Sequence, residues 1–270
     1  MTNTEPYELY EKSWLEEMFQ CDIQCVPYSS ALSHELPDDA WIILQRPFIS
    51  IWNTLLSTHT QSFRILHLSD EFEKDDISIY SHPYCKAVIR NYPREDIPNA
   101  SHFITIPLGY HHQCTLKKSM KERPWVWSFH GTDWFQRGEQ LKAFQSYEPY
   151  SCHLQPEWNH SSGTKPVKYL EILGNSQFCP ILKGNHMETF RLYEALEAGT
   201  LPLFGPTISS SYLEWIKQYV DVSTIYDWTS MESMTMSLEK KESARVEIMR
   251  QWKIWKKDIQ KSCQILLNRV

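Results

Sequence analysis

Residues 178–205 read FCPILKGNHMETFRLYEALEAGTLPLFG, and this stretch decides the fold class. The run Phe178, Cys179, Pro180 closes a strand, and a polar loop with Lys183, Gly184 and Asn185 follows. A helix is predicted from about Met187 to Gly199, where glycine supplies the left-handed residue that ends a helix. TLPLFG at 200–205 is the next strand. Strand, loop, helix and strand at this spacing make a βαβ unit, which builds a parallel sheet through a right-handed crossover. In such sheets ligands sit at the carboxyl ends of strands and at helix N-termini, whose unpaired N–H groups and partial positive charge suit a diphosphate. Glu188, Arg191 and Glu194 recur every three residues and share one helical face. Arg191 can reach a phosphate with its planar fork, and Glu194 can accept two hydroxyl hydrogen bonds from a ribose. An ordinary amphipathic helix with solvated charge pairs has the same spacing, so spacing leaves both readings open.

The same alternation extends outward. Strands are predicted at 41–45, 63–71, 85–92, 102–109, 125–132 and 151–154, and helices at 6–20, 47–58, 134–146, 166–174, 210–218, 230–240 and 242–268. The fold class is therefore α/β with mainly parallel sheets. Residues 1–115 hold seven Lys/Arg against sixteen Asp/Glu, whereas residues 116–270 hold twenty against seventeen, and all eight glycines lie at or after Gly109. Two chemistries suggest two domains, 1–115 and 116–250, followed by a helix at 251–270 that crosses back to the first. The acidic first half excludes a general nucleic-acid binder, which needs a basic footprint; an anionic ligand belongs to the second half. Glycine-rich G-x-G-x-x-G follows no strand, which disfavours a dinucleotide enzyme.

With 270 residues, 13% of them aromatic, the chain can bury a large core. No run approaches the roughly 18 apolar residues of a membrane span. The start, MTNTEPYELYEKSW, is acidic and lacks a signal-peptide pattern, so a cytoplasmic location is expected. Seven cysteines without a C-x-x-C pair speak for free thiols in a reducing compartment and against a structural zinc.

Asp70 and Glu71 end the strand FRILHL and are candidates for a general base, Asp70 first. The alternative is a loop carboxylate capping a helix. Arg90 ends another strand and either faces the same site or forms a buried ion pair with Asp70 or Glu71. His130 precedes Gly131 at a strand end, where it either approaches a ligand or packs. His67, inside its strand, reads as a core histidine. The acidic run DEFEKDD at 70–76 reads as a solvated loop, the alternative being a cation site.

Taken together, FCP…G…ETFRLYEALEAGTLPL resembles the exostosin family, glycosyltransferase family 47, in the branch that includes ribitol xylosyltransferase and short chains of large algal viruses. WVWSFHGTDWFQR at 125–137, HLSDE at 67–71 and PLGY at 107–110 extend the likeness. The resemblance implies a GT-B architecture, two Rossmann-like domains facing a cleft, and transfer of a sugar, xylose by best match, from a UDP-sugar to a glycan hydroxyl with inversion. It implies that Arg191 faces the nucleotide, that Glu194 holds the donor ribose, that Arg137 neutralises the diphosphate, and that Gly131 and Thr132 let the backbone approach it. Lys183, Gly184, Asn185 and Glu188 complete the donor set. The common GT-B pattern sets its two glutamates eight residues apart, where Glu188 and Glu194 are six apart. No D-x-D motif occurs, so the leaving group is expected to be stabilised by arginines without a metal or other cofactor. A viral chain of this type would work in the host cytoplasm. A non-catalytic nucleotide- or glycan-binding module of the same fold is the alternative.

Overall fold

The computed structural model describes residues 9–23, 36, 38–68, 70–97, 100–157, 164–220, 226–227 and 234–268. The chain divides into two compact units, Met1–Leu108 with Asp258–Val270, and Gly109–Lys257.

In the first unit, α1 (Lys12–Phe19) precedes β1 (Ala40–Leu44), α2 (Ile49–Ser57), β2 (Phe63–His67), β3 (Cys85–Arg90) and β4 (Phe103–Thr105). The four strands are all parallel and lie in sequence order. Every residue of β2 is buried, as a strand covered on both faces requires. Ile42, Leu44, Trp52, Leu56, Phe63, Ile65 and Val88 form the core, each side chain contributing about 1.5–3 kcal/mol through removal from water. Trp14 is buried on α1, and its indole donates to the Pro107 carbonyl at 3.0 Å.

In the second unit come β5 (Trp125–Thr132), α3 (Arg137–Leu141), β6 (Tyr150–Gln155), α4 (Pro166–Gly174), β7 (Ser176–Ile181), α5 (Phe190–Ala198), β8 (Leu201–Phe204), α6 (Ser210–Lys217) and β9 (Tyr226–Asp227). A final helix, α7 (Leu238–Leu267), begins in this unit, and its residues from Asp258 on belong to the first. The sheet is parallel with order β6-β5-β7-β8-β9. This is a doubly wound order: the chain goes from β5 outward to β6, then crosses back over β5 to β7, so the carboxyl ends of β5 and β7 flank a topological switch point. Among the described residues the first unit has no such reversal.

The two strands at the switch point also part company. They pair only at Trp125 with Ser176 and at Trp127 with Phe178. Continuing that register would set Phe129 opposite Pro180, which has no N–H to give a ladder. Beyond this point the main-chain carbonyls of β5 and of the loop after β7 need other donors.

Three expectations change. The helix expected over 134–146 is broken into a 3-10 turn at Trp134–Gln136, the short α3 and a second 3-10 turn at Lys142–Phe144. Phe135 and Gln136 are the cause, for both hold left-handed backbone at φ 50° and 58°. The helix expected from Met187 starts at Phe190, because Thr189 stays extended at φ −140°. The helix expected at 230–240 falls partly outside the described residues, and its last residues, from Leu238, open α7. Six cysteines are described, all free, with Cys85, Cys114, Cys179 and Cys263 buried; Cys25 lies outside the described residues. No described helix is long and apolar enough to cross a membrane.

Candidate functional site

Two guanidinium groups fill the gap where β5 and β7 separate. Arg137, the first residue of α3, is 8% exposed. Its Nη1 donates to the Thr132 carbonyl at 3.0 Å, and its Nε and Nη2 donate to the Lys183 carbonyl at 3.1 and 2.8 Å. A longer bond runs from Nη2 to the Leu182 carbonyl at 3.4 Å. Arg137 thus ties the end of β5 to the loop after β7. Arg191, in the first turn of α5, donates from Nη2 to the His130 carbonyl at 2.6 Å. Its guanidinium carbon stands 4.0 Å from the Phe129 ring centroid, and that of Arg137 stands 5.6 Å from the same ring. Two cations therefore share one aromatic side chain. Among the described residues neither forms an ion pair within 4.0 Å.

The glycines fit this packing. A Cβ on Gly131 would fall 2.8 Å from Arg191 Nη2, and one on Gly184 would fall 3.4 Å from Arg137 Nη2. At Gly131 even alanine would displace the guanidinium. The start of α5 adds to the positive potential. Thr189, its N-cap, makes no side-chain cap bond, and the buried Thr189 Oγ1 and Arg191 Nη1 have no hydrogen-bond partner. An uncapped helix N-terminus and an unspent guanidinium donor at one place are what an anion binds.

A third buried arginine provides the contrast. Arg123 also bonds carbonyls, those of Lys118, Ser176 and Ala198, together with Thr200 Oγ1. It meets the carboxyl end of α5, where the helix dipole is negative and offsets its charge. Arg137 and Arg191 stand at the positive end of that helix and beside one another. Burial, and then the neighbouring Arg191, pull Arg137 down to about 10. The neighbouring cation costs Arg137 free energy that a bound anion returns, whereas Arg191 is favoured in its charged form by neighbours that include Glu194.

Of the donor residues named from sequence, Gly131, Thr132, Arg137, Lys183, Gly184 and Arg191 are brought together by these contacts. Asn185 is exposed in the same loop. The two glutamates are engaged inside the unit. Glu194, 5% exposed, accepts the Tyr169 hydroxyl at 2.8 Å and backbone N–H groups of His111 and His112, and burial pushes its carboxyl up. Glu188, 2% exposed, accepts the Tyr193 hydroxyl. A ribose would have to displace Tyr169 to reach Glu194. His130 is also spoken for: its ring nitrogens bond Thr164 Oγ1 and Ser151 Oγ, each at 2.9 Å. Burial, followed by Arg191, lowers it to about 4, so the ring is neutral at physiological pH and serves to hold the carbonyl that Arg191 grips.

In the first unit Asp70 has no exposed surface. Its Oδ2 accepts Arg90 Nη2 at 2.8 Å and Arg94 Nη1 at 3.0 Å, and its Oδ1 accepts the N–H groups of Lys74 and Asp75. Burial alone would raise its pKa, but Arg90 and Arg94 hold it below the ordinary carboxylate value. A carboxylate so placed is a poor proton acceptor, and the ion-pair reading of Arg90 is the one the geometry adopts. Next to it, His67 Nε2 meets Asp75 Oδ2 at 3.1 Å and Nδ1 meets the Tyr80 hydroxyl. Burial lowers the His67 pKa and so favours the neutral ring, held between Asp75 and the Tyr80 hydroxyl. His67, Asp70 and Asp75 bring donor atoms within 4.8 Å of one another. Arg46, Arg90 and Arg94 already face the two carboxylates, so a divalent cation there would meet three positive charges and does not fit. Glu71 beside them is half-buried.

Glu11 is a second buried carboxyl of the first unit. It is 6% exposed, Asn91 Nδ2 donates to its Oε1 at 3.4 Å, and its Oε2 and Asn91 Oδ1 are buried without partners. Desolvation by burial pushes its carboxyl from 4.5 to about 7. The folded state therefore favours the protonated acid. Below pH 4.5 both states hold the proton; as pH rises to about 7 the unfolded chain ionises first and stability is lost. A shift of this size corresponds to about 3 kcal/mol. Glu11→Gln is expected to match the wild type at pH 4 and to exceed it by about 2–3 kcal/mol at pH 8, read from urea unfolding at both values. A difference that does not grow with pH would contradict this account. The sequence held no sign of it, because Asn91 lies 80 positions away.

No family model matches the chain, and no curated protein matches it. Among solved structures it is similar to an α1,3-fucosyltransferase, at 8% identity and TM-score 0.39, over 93% of this chain and 97% of that one. It is also similar to a GtfA/B complex bound to UDP and GlcNAc, at 9% identity and TM-score 0.38, over 82% of this chain and 56% of that one. The chain thus spans about half the length of the latter.

Proposed function

We propose that the chain is a glycosyltransferase of GT-B type that uses a nucleoside-diphosphate sugar. The observation that carries this reading is the pair of buried guanidiniums, Arg137 and Arg191, at the carboxyl ends of β5 and β7 with no ion-pair partner among the described residues. A diphosphate matches them in charge and in the fork geometry of guanidinium. The leaving nucleoside diphosphate gains negative charge as the glycosidic bond breaks, and fixed cations lower that barrier without having to reorganise. Arg191 supplies the unspent donor; Arg137, with four hydrogen bonds to carbonyls, supplies charge and holds the loop. Metal-independent, inverting transfer from UDP-xylose to a glycan hydroxyl is the form that the sequence resemblance favours. Inversion needs a base for the acceptor hydroxyl. Asp70 is locked between arginines, so that role passes to Glu71.

Calorimetry and thermal shift against UDP, UDP-sugars and inorganic pyrophosphate test the class. UDP at 100 times its Kd is expected to raise stability by about 2.7 kcal/mol, with a smaller rise for pyrophosphate. Absence of any shift with all of these ligands would remove the reading. The locked state of Asp70 favours a second reading, a nucleotide-binding module without turnover. Release of UDP from a bound UDP-sugar in the presence of a glycan separates the two.

A further inference from the structure

The loop after β5 carries a second feature that the cation pair does not use. Trp134 and Phe135 follow one another there, 39% and 57% exposed. Exposed aromatic side chains gain little from burial, yet this loop holds Phe135 at φ 50° and Gln136 at φ 58°. Left-handed backbone at two successive non-glycine residues costs free energy. Glycine would take both positions without strain. Lys183 Nζ stands 5.9 Å from the Phe135 ring centroid, and the Lys183 carbonyl is the one that Arg137 grips. Phe135 thus stands beside Lys183, whose carbonyl meets the guanidinium pair, and only Gln136 separates it from Arg137 in the chain.

We infer that Phe135, flanked by Trp134 and accompanied by Lys183, is the stacking platform for the nucleobase of the donor. The inference rests on the proposed diphosphate site and adds the subsite beside it. A flat base stacks on an aromatic face, and carbonyl oxygens on its edge can accept from the Lys183 ammonium. A pyrimidine with two carbonyl groups offers both the flat face and the acceptors.

Phe135→Gly tests it without endangering the fold, because glycine accepts φ 50° and the change removes strain. Calorimetry would compare wild type and variant against UDP and against inorganic pyrophosphate. The expected result is a loss of about tenfold or more in UDP affinity, unchanged pyrophosphate affinity, and a melting temperature no lower than wild type. Phe135→Trp is expected to retain UDP affinity within a few-fold. Equal UDP affinity in wild type and Phe135→Gly, with pyrophosphate still bound, would overturn the platform alone. A loss confined to UDP-sugars, with UDP unaffected, would overturn it too by placing the sugar on the ring. Wild-type protein that binds neither UDP nor pyrophosphate would instead overturn the diphosphate reading itself.

Discussion

Arg191→Met lowers the affinity for UDP and for inorganic pyrophosphate by about 100-fold, equivalent to about 2.7 kcal/mol, while the chain stays folded. The magnitude follows from losing a charge-assisted hydrogen bond together with the charge. Methionine is the appropriate replacement because the Arg191 guanidinium carbon stands over the Phe129 ring, 4.0 Å from its centroid, and an alanine would leave a void there. A thioether keeps that apolar contact and removes the cation. Arg191→Lys restores charge without the fork, so it should recover only part of the loss. The wild-type affinity should also fall with added salt more steeply than that of Arg191→Met. Calorimetry at two ionic strengths reads all of this, with circular dichroism as the check on folding. If Arg191→Met bound UDP as the wild type does, the anion would sit elsewhere and the proposed donor site would be lost with it. Combining Arg191→Met with Arg137→Met should cost less than the sum of the two, since both act on one anion through one ring.

The parallel sheets were readable because their signals are local. The stretch from Phe178 to Gly205 carries an apolar strand, a glycine loop and an amphipathic helix whose stop, Gly199, is left-handed at φ 63°, where a Cβ would also fall 2.5 Å from Met249 Sδ. α4, at Pro166–Gly174, coincides with the helix predicted at 166–174, proline in its first turn being the start signal. What failed to show was set at longer range or against propensity. The break at Phe135 and Gln136 has no glycine or asparagine to announce it. Thr189 looks like a residue inside the helix, because nothing local says that the chain stays extended until Phe190. The strand order that creates the switch point depends on which strands pair, and Pro180 is legible as the end of a ladder only once β5 is known to lie beside β7. Asp70 stood out as a carboxylate at a strand end, but the arginines that occupy it come from 20 and 24 residues downstream. The same residue type in the same position thus fits a general base or the anchor of an ion cluster, and only the partners decide.

That decision has a measurable consequence. Asp70→Asn is expected to destabilise the first unit by about 3–5 kcal/mol, because it leaves buried Arg90 facing a neutral amide in place of its carboxylate, while Arg94 keeps Asp96. For a chain of this size the melting transition of that unit should fall by about 10 °C. With its oxygen at the Oδ2 place the neutral amide would still accept from both arginines, but its NH2 group would then face the N–H groups of Lys74 and Asp75 that now point at Oδ1. The pH dependence carries the sign of a depressed carboxyl. The stability that Asp70 contributes is present above the unfolded value of 3.8 and is lost as pH falls through its lower folded value. The gap between wild type and Asp70→Asn should therefore be full at pH 7 and close progressively below pH 4. Pyrophosphate binding, which depends on Arg137 and Arg191 in the other unit, should survive wherever the variant is folded. A general base would behave otherwise: Asp70→Asn would then abolish transfer at wild-type stability, with no gap to close at low pH. Denaturant unfolding of the two proteins across pH 3–8, set beside their pyrophosphate affinities at pH 7, separates an ion-cluster anchor from a proton acceptor. An Asp70→Asn protein as stable as the wild type at pH 7 would return Asp70 to the catalytic role and take it from Glu71.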